Sequence, residues 1–427
     1  MSSISARLTL VTGILAVGMA LPPFSPAATP LVLETLSGPV TPREIAGFQA
    51  WMTNFEPDPS NENDAWAFGH SGQAIEALGY LYEATHEQSF LDRMVAIAAT
   101  GLAERNDLAP APIGHRPLWP GVDCPAWSNQ PSGRSNSGHA GPESADVAGR
   151  IARAAYLILQ APALSEQVVP DSDPFHFGKT YGDRARTFVR LLDMTAEQFV
   201  VPYFLKKSDH NRFYYPRDGR YGNSLAGGQS NEGKPIPWNQ QLMIDNLFQR
   251  LAECHELLHD KPDRVLFYDA CVATSLSWFL GSVDSHSDSR AHGVYYTWSY
   301  AIDDIKHVED GAHAGLDLEG VYRAYLSERY HLVLNRSQMQ AFANDVVDIM
   351  PQSGGRWAGT VDGGGKSGHA AVTDYPRPNI LLMLEFRPEA FAFFAKAALA
   401  AKRTVGDPTA IAHLLWAKSR IAHATAP

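Results

Sequence analysis

Apolar residues recur at helical spacing along most of the chain from about residue 44 onward, whereas alternating runs bounded by turn residues are scarce. This pattern predicts about a dozen helices. Their predicted bounds are 42–52, 72–85, 89–105, 144–160, 181–201, 240–258, 263–280, 316–330, 336–350, 378–384, 388–401 and 408–422. Some of them, such as the stretch 152–158, are apolar on more than one face, which is typical of a helix that packs between two neighbours. The sequence therefore predicts an all-α fold.

Long loops separate several of these helices, at 106–143, 203–238, 282–315 and 351–377. They are rich in glycine, polar and aromatic residues, and loops of this length in a compact domain are usually functional. We expect an (α/α) toroid or barrel of about six to seven helical hairpins, with these loops lining a cleft at one end. No change in composition marks a linker, so residues 29–427 are expected to form a single catalytic domain.

The first 28 residues have the pattern of a signal peptide. Arg7 precedes an apolar run at 8–21, and small residues follow at 25–28, where a signal peptidase would cleave near Ala27 or Ala28. The run is shorter than the roughly 20 residues that a membrane span needs. We expect a secreted or periplasmic protein with no membrane association after cleavage.

The composition of the chain limits which binding partners and cofactors are expected. The chain has 35 Lys+Arg against 46 Asp+Glu, a formal net charge of −11, which argues against nucleic acid as a partner. Its three cysteines, Cys124, Cys254 and Cys271, have no metal-binding spacing; Cys254 and Cys271 either pair or remain small buried thiols. We expect a monomer without a cofactor.

The densest group of reactive side chains precedes the helix predicted at 316–330. An aromatic stretch, Tyr295 to Tyr300, is followed by Asp303-Asp304 and by the run His307 to His313. The group combines proton donors, proton acceptors and rings that stack on sugars, and it is the first candidate for an active site. Alternatively, Glu309 or Asp310 simply caps the helix while His313 packs beneath it.

A metal site is a second interpretation of this segment. His307, Asp310 and His313 have side chains that bind zinc or manganese. The spacing is common by chance and the HExxH signature is absent. We expect no metal.

Other loops carry polar side chains just before helices. Asn239 and Gln240 open the helix predicted at 240–258, and Asn136 and His139 precede the helix at 144–160. Each amide either caps its helix or reaches into the cleft to bind a substrate hydroxyl or carboxylate.

Two loops add charge and stacking surface. Arg356, in a glycine-rich loop, and Arg377 supply positive charge for an acidic ligand, unless they simply lie in solvent. Tyr215 and Trp298 offer rings that stack on sugars, although buried aromatics look the same in sequence.

Five motifs occur in a familiar order. They are Trp66-Ala67-Phe68-Gly69, Phe213-Tyr214-Tyr215, Pro237-Trp238-Asn239-Gln240-Gln241, Tyr296-Thr297-Trp298-Ser299-Tyr300 and Glu309-Asp310-Gly311-Ala312-His313-Ala314. In this order they resemble the secreted α/α-barrel polysaccharide lyases of family 38, which include glucuronan lyases and alginate lyases. The resemblance spans most of the chain after the signal peptide, and its most specific part is the aromatic stretch leading into Glu-Asp-x-x-His.

The resemblance implies β-elimination on a uronic-acid polymer, glucuronan first and alginate or polymannuronate next, with a His and a Tyr as the proton-transfer pair. The histidine maps to His313, and the tyrosine maps to Tyr300, Tyr296 or Tyr375. Asn239 or Arg356 would stabilise the substrate carboxylate as it gains enolate character. Glu309 would orient His313 or share a proton with that carboxylate. The remaining expected substrate contacts are His139, Asn136, Trp298, Tyr215 and Gln240.

Two other functions fit the sequence. A glycoside hydrolase on the same scaffold would use two carboxylates from Asp303, Asp304, Glu309 and Asp310. A carbohydrate-binding protein would use the aromatic loops for affinity alone. Only the lyase generates a 4,5-unsaturated product that absorbs in the ultraviolet.

Overall fold

A computed structural model describes residues 31–58, 64–111, 114–128, 138–224, 231–401 and 407–425. The expected signal peptide and Asn136 lie outside these residues. The described chain is mostly helical with little strand, as the apolar periodicity predicts.

Each long α-helix corresponds to a periodic apolar segment of the sequence. In chain order the helices are α1 (Pro42–Asn54), α2 (His70–Thr85), α3 (Gln88–Ala103), α4 (Glu143–Leu159), α5 (Tyr181–Thr195), α6 (Val201–Phe204), α7 (Gly219–Ser224), α8 (Trp238–Leu258), α9 (Pro262–Leu280), α10 (Gly311–Leu326), α11 (Arg336–Asn344), α12 (Phe391–Ala400) and α13 (Pro408–Thr425). A π-helical turn extends α5 through Ala196–Val200, and another extends α11 through Asp345–Ile349. The predicted helix at 378–384 is instead a 3₁₀ helix, Pro378–Phe386.

Short antiparallel hairpins lie in the loops. β1 (Leu205–Lys206) pairs with β2 (Arg212–Phe213), β3 (Asp284–His286) with β4 (Tyr295–Thr297), and β5 (Pro351–Gln352) with β6 (Arg356–Trp357). These hairpins order the long polar loops without forming an extended sheet among the described residues.

Local capping sets several helix ends. Thr41 and Glu44 form a capping box at the start of α1, with Pro42 in the first turn. At α10 the side chain of Asp310 accepts hydrogen bonds from the backbone N–H groups of Ala312 and His313. This cap starts α10 five residues earlier than the apolar pattern predicts, so His313 lies in its first turn and not on a loop.

The long helices pack in a defined order. α4 contacts α2 and α8, and α10 contacts α8 and the 3₁₀ helix Pro378–Phe386. α13 contacts that 3₁₀ helix and also α2. α3 packs against α2 and α4, α5 against α4, and α9 against α8. Apolar side chains from these elements share one large buried cluster.

A buried group of charges joins α2, α4 and α10. Glu76 accepts hydrogen bonds from Arg150 at 3.0 Å, from Arg153 at 3.2 Å and from Arg323 at 2.7 Å. The three guanidinium groups hold the pKa of Glu76 well below its ordinary value, although burial alone would raise it. Because a buried charge is costly without partners, this group specifies how the three helices meet.

The cysteines do not pair. Cys124, Cys254 and Cys271 are all buried free thiols. Of the two alternatives for Cys254 and Cys271, the structure therefore shows small buried thiols and not a disulfide. Among the described residues, none of the helices combines the length and the apolarity needed to cross a membrane.

Candidate functional site

The first turn of α10 presents an oriented histidine. His313 Nδ1 lies 2.7 Å from Asp310 Oδ2, and its side chain is 24% exposed. An ionised carboxylate only accepts hydrogen bonds, so the imidazole donates from Nδ1 and keeps the lone pair of Nε2 for an incoming proton. The hydrogen bond from His313 lowers the pKa of Asp310, against the opposing effect of burial.

Two backbone pairings bring Tyr300 to this histidine. Tyr300 N donates to His307 O at 3.0 Å, and Glu309 N donates to Trp298 O at 2.8 Å, so the chain before α10 folds back on itself. As a result the rings of Tyr300 and His313 have centroids 5.1 Å apart. Burial and the nearby Glu309 carboxyl raise the pKa of Tyr300 well above its ordinary value, which keeps the phenol protonated.

A pair of buried carboxyl groups lies behind the histidine. Glu309 is fully buried, with Oε1 accepting from Asp310 N at 2.9 Å and lying 3.8 Å from His313 Nδ1. Its second oxygen, Oε2, faces the carboxyl of Asp317. Neither Glu309 Oε2 nor Asp317 Oδ1 has another hydrogen-bond donor among the described residues. Burial and the nearby Asp317 carboxyl raise the pKa of Glu309 well above its ordinary value.

A second histidine is oriented by a hydroxyl. His139 Nδ1 lies 2.8 Å from Ser224 Oγ, and that hydroxyl already donates to Tyr221 O at 2.7 Å. The imidazole therefore donates from Nδ1 and leaves Nε2 as an acceptor. Burial lowers the pKa of His139 to about 4, so it is neutral over the physiological range.

A hydrogen-bonded chain of Tyr215, Gln240 and Glu143 lies beside this histidine. The phenol of Tyr215 donates to Gln240 Oε1 at 2.6 Å, and Gln240 Nε2 donates to Glu143 Oε1 at 2.7 Å. Burial, reinforced by the Asp146 charge, raises the pKa of Glu143 to about 7. Trp238 N, two residues before Gln240, donates to Tyr300 O at 3.3 Å, so the two groups of residues are neighbours. The Glu143 carboxyl also contributes to raising the pKa of both Tyr215 and Tyr300.

Two glycines allow the close approaches in this region. A Cβ on Gly141 would overlap Glu143 Oε2 and lie 3.3 Å from His139 Nε2, so glycine leaves the space in which these two side chains meet. A Cβ on Gly359 would overlap the carbonyl of Ala370. Gly359 O accepts from Gly311 N at 2.7 Å, which holds the glycine-rich loop against the start of α10.

That loop brings further polar groups to His313. The exposed His369 ring lies 5.2 Å from the His313 ring, centroid to centroid. Arg377 donates to His369 O at 2.8 Å. Arg377, Tyr375 and Ala312 line one cleft, which has about 660 Å³ of empty space including its open mouth. The cleft therefore contains the Arg377 guanidinium and the Tyr375 phenol, and it reaches Ala312, the residue before His313.

Comparisons of the chain with protein-family models, with curated proteins and with solved structures found no match. A partly exposed base next to a protonated phenol can move protons at two positions of one bound molecule, and the buried carboxyl pair holds the base in place.

The structure brings together many of the expected site residues. Tyr300, Glu309 and His313 form one group, and His139, Tyr215 and Gln240 form its neighbour. Asn239 lies in the first turn of α8, where Trp238 N donates to Tyr300 O at 3.3 Å, and its side-chain oxygen is buried without a hydrogen-bond partner among the described residues.

Other expected residues lie elsewhere. Tyr296 packs on Phe342, with ring centroids 5.1 Å apart. Arg356 is exposed on β6. Trp298 is 2% exposed and donates from its indole to Asp317 Oδ2 at 2.8 Å. It supports the carboxyl pair from the core and has no face for a sugar. Glu309 is also fully buried, so it supports Asp310 through the backbone hydrogen bond and is not placed to contact a substrate carboxylate.

The residues considered for a metal separate in the structure. His307 is exposed and pairs with Asp304, with Nδ1 to Oδ1 2.6 Å. Glu309, Asp310 and His313 have potential ligand atoms within 4.8 Å of one another. Among the described residues this is the only group of three with potential metal-ligand atoms so close together, and it contains Glu309 where the sequence suggested His307.

Two site residues were missed by the sequence analysis. Glu143 is the last residue of the long loop at 106–143, and Asp317 lies inside the helix predicted at 316–330, where a carboxylate normally indicates the solvent face. The signal at Asp317 was its apolar neighbours, because a carboxyl in such a stretch must either be buried or face a cleft.

Proposed function

We propose that this protein is a secreted or periplasmic polysaccharide lyase that cleaves a uronic-acid polymer by β-elimination, with glucuronan preferred over polymannuronate. One observation carries the proposal. A carboxylate-oriented, partly exposed imidazole lies 5.1 Å, centroid to centroid, from a phenol that burial keeps protonated. Base and acid are thus presented side by side to one ligand.

We also propose that the helices form one closed α/α toroid over a single catalytic domain. In support, α2, α4, α8, α10, the 3₁₀ helix Pro378–Phe386 and α13 contact one another in succession, and α13 contacts α2 again. The N-terminal ends of α4, α8 and α10 carry Glu143, Gln240 and His313, and two of these side chains are hydrogen-bonded to each other. Converging helix ends of this kind suit a cleft at one end of a toroid.

The first chemical step assigns the base. His313 Nε2 removes the proton at C5 of the uronate, and the electron pair of that C–H bond enters the C4–C5 bond as the double bond forms. The imidazolium that results is stabilised by Asp310, which accepts its Nδ1–H. The Glu309–Asp317 pair restrains Asp310 through the hydrogen bond to its backbone N–H.

The second step assigns the acid. The C4–O4 bond breaks, and the phenol of Tyr300 gives its proton to O4, which becomes a hydroxyl on the released chain. The products are a 4,5-unsaturated uronate and a shortened polymer, and His313 returns its proton to Tyr300 through solvent. The raised pKa of Tyr300 favours the protonated phenol that this role needs.

The substrate carboxylate must be neutralised before C5 becomes acidic enough to react. Arg377 lies against the start of α10, since a Cβ on Gly311 would stand 3.0 Å from its Nε, and it lines the cleft with Ala312. A guanidinium binds a carboxylate through two parallel hydrogen bonds. Asn239 supplies an amide beside the Tyr300 backbone. Together they would stabilise the enolate-like transition state. No cofactor takes part in this scheme.

An absorbance assay tests the proposal. The protein is incubated with glucuronan, polymannuronate, polyguluronate and hyaluronan, and the 4,5-unsaturated product is followed in the ultraviolet. We expect growth of absorbance with glucuronan first, loss of it in His313→Ala, and retention in the matched control His307→Ala, whose imidazole is exposed and paired with Asp304. New reducing ends without absorbance would make the protein a hydrolase, and binding without either would make it a binding protein.

A further inference from the structure

A basic segment interrupts the acidic surface of this protein. Residues 203–234 contain six Lys+Arg against three Asp+Glu, whereas the whole chain has a net charge of −11. Asp209 pairs with Arg212 and Asp218 with Arg220. Among the described residues no carboxylate forms an ion pair with the remaining exposed cations, which are Lys206, Lys207, Arg217 and Lys234.

Two of these cations, Lys206 and Arg217, line the first of two adjoining hollows with aromatic walls, and Lys234 directly follows Gly233 of the same lining. The first has about 880 Å³ of empty space including its open mouth and is lined by Tyr203, Lys206, Tyr214 and Arg217. The Lys206 ammonium lies 4.4 Å from the centre of the Tyr214 ring. The second has about 970 Å³ of empty space including its open mouth, and Arg212 and Trp278 are among the residues that line it.

The two hollows share a wall. The Tyr214 and Trp278 rings have centroids 6.0 Å apart, and the Arg212 guanidinium lies 4.5 Å from the centre of the Trp278 ring. We call the two hollows together the basic groove. It alternates flat rings with positive charge, which is the combination that binds a chain of acidic sugars.

The basic groove adjoins the candidate site. Tyr215 lines the first hollow and donates its phenolic hydrogen to Gln240, which in turn is bonded to Glu143. Tyr215 thus connects the wall of the first hollow to the residues that neighbour Tyr300.

We infer that the basic groove binds further units of an acidic polysaccharide, so that the protein holds long chains at internal positions and not only at their ends. The identity of the polymer rests on the proposed function; the binding itself does not require cleavage. The attraction is between exposed charges and should weaken as ionic strength rises.

Equilibrium binding in the His313→Ala background tests the inference, because substrate then survives the measurement. The groove variant is Lys206→Gln/Arg217→Gln/Lys234→Gln. The control is Lys179→Gln/Arg336→Gln/Lys396→Gln, which removes the same charge from exposed residues with no recorded contact to the groove. Glucuronan, polymannuronate, a glucuronan tetrasaccharide, neutral dextran and single-stranded oligo(dT) are compared at low and high salt.

We expect the groove variant to raise Kd for the preferred polyuronate about tenfold and to flatten its salt dependence, since each exposed ion pair contributes modestly. The control should change Kd less than about twofold, and the tetrasaccharide should bind both proteins alike because it does not fill the groove. Equal Kd values for the two variants, no binding of either polyuronate, or equally groove-dependent binding of oligo(dT) would overturn the inference. Groove-dependent binding combined with no unsaturated product from the wild-type protein would leave the groove in place and remove the lyase. Cleavage by the wild-type protein with no effect of the groove variant on binding would do the reverse.

Discussion

The imidazole of His313 and the phenol of Tyr300 lie with their ring centroids 5.1 Å apart and their planes inclined at 45°. Tyr300 comes from the hairpin-like turn that precedes α10, and His313 comes from the first turn of α10 itself. Because both are attached to the same short stretch of backbone pairing, their spacing is set locally and does not depend on how distant helices pack. A sugar bound over this pair can meet a base and an acid without any movement of the chain.

Removing the hydroxyl of Tyr300 tests its role as acid. Tyr300→Phe keeps the ring and its packing but has no proton for O4, so we expect kcat to fall by about 10² to 10⁴ while the fold is retained. Product absorbance measures the loss. Tyr296→Phe is the matched control, since Tyr296 packs on Phe342 away from the pair. If Tyr375→Phe were inactive and Tyr300→Phe active, the acid would be Tyr375 on the cleft wall.

Asp310 acts through His313, and its conservative replacement separates orientation from stability. Asparagine still caps α10, so Asp310→Asn should cost less than about 1 kcal/mol of unfolding free energy. The amide can donate to Nδ1 and so favours the wrong tautomer, and we expect kcat to fall by about 10² to 10⁴ with little change in KM. Separate measurement of kcat and KM distinguishes a role in orienting His313 from a role in binding substrate. A higher KM at normal kcat would mean that Asp310 only binds substrate.

The sequence predicted the helices correctly where the spacing of apolar residues determines them. The helices predicted at 263–280 and 408–422 match α9 and α13 within a few residues. The prediction failed where a local hydrogen bond decides the outcome. The cap by Asp310 starts α10 early, and the apolar pattern contains no information on the choice between α and 3₁₀ hydrogen bonding at Pro378–Phe386.

The site was predictable only in part. His313, Tyr300 and Glu309 are close in sequence, so local density was enough to find them. Glu143 and Asp317 contribute through contacts between segments that are far apart, and one sequence does not reveal which buried carboxyl groups will meet. Trp298 is the opposite case: it was predicted to stack on a sugar but is buried in the core, with its indole bonded to Asp317. A ring that stacks on a sugar and a ring that fills the core look the same in sequence.

The charge group around Glu76 provides a test of the fold that is independent of activity. Glu76→Gln leaves three buried guanidinium groups with one carboxylate fewer, and we expect a loss of about 3 to 5 kcal/mol in unfolding free energy. Urea unfolding measures it. Glu83→Gln is the control: Glu83 also accepts from Arg153 but is 25% exposed, so its replacement should cost less than about 1 kcal/mol. Equal effects would mean that Glu76 is not the centre of the group.

Glu143 makes stability depend on pH in a defined direction. Burial raises its pKa from 4.5 to about 7, so between these pH values the folded protein holds a proton that the unfolded chain has released. Stability from this group is complete below pH 4.5, falls as the pH rises to about 7, and is constant above that. Glu143→Gln cannot ionise, so relative to wild type it should gain up to about 3 kcal/mol between pH 4.5 and pH 8.

Urea unfolding of both proteins across this range isolates the contribution of Glu143, because the other titrating groups are common to them. The exposed Glu87→Gln serves as the control and should run parallel to wild type. A constant difference between wild type and Glu143→Gln at every pH would show that Glu143 is already ionised in the folded protein. Its hydrogen bond from Gln240 would then be charge-assisted, and the carboxyl could not supply a proton to any ligand in the cleft.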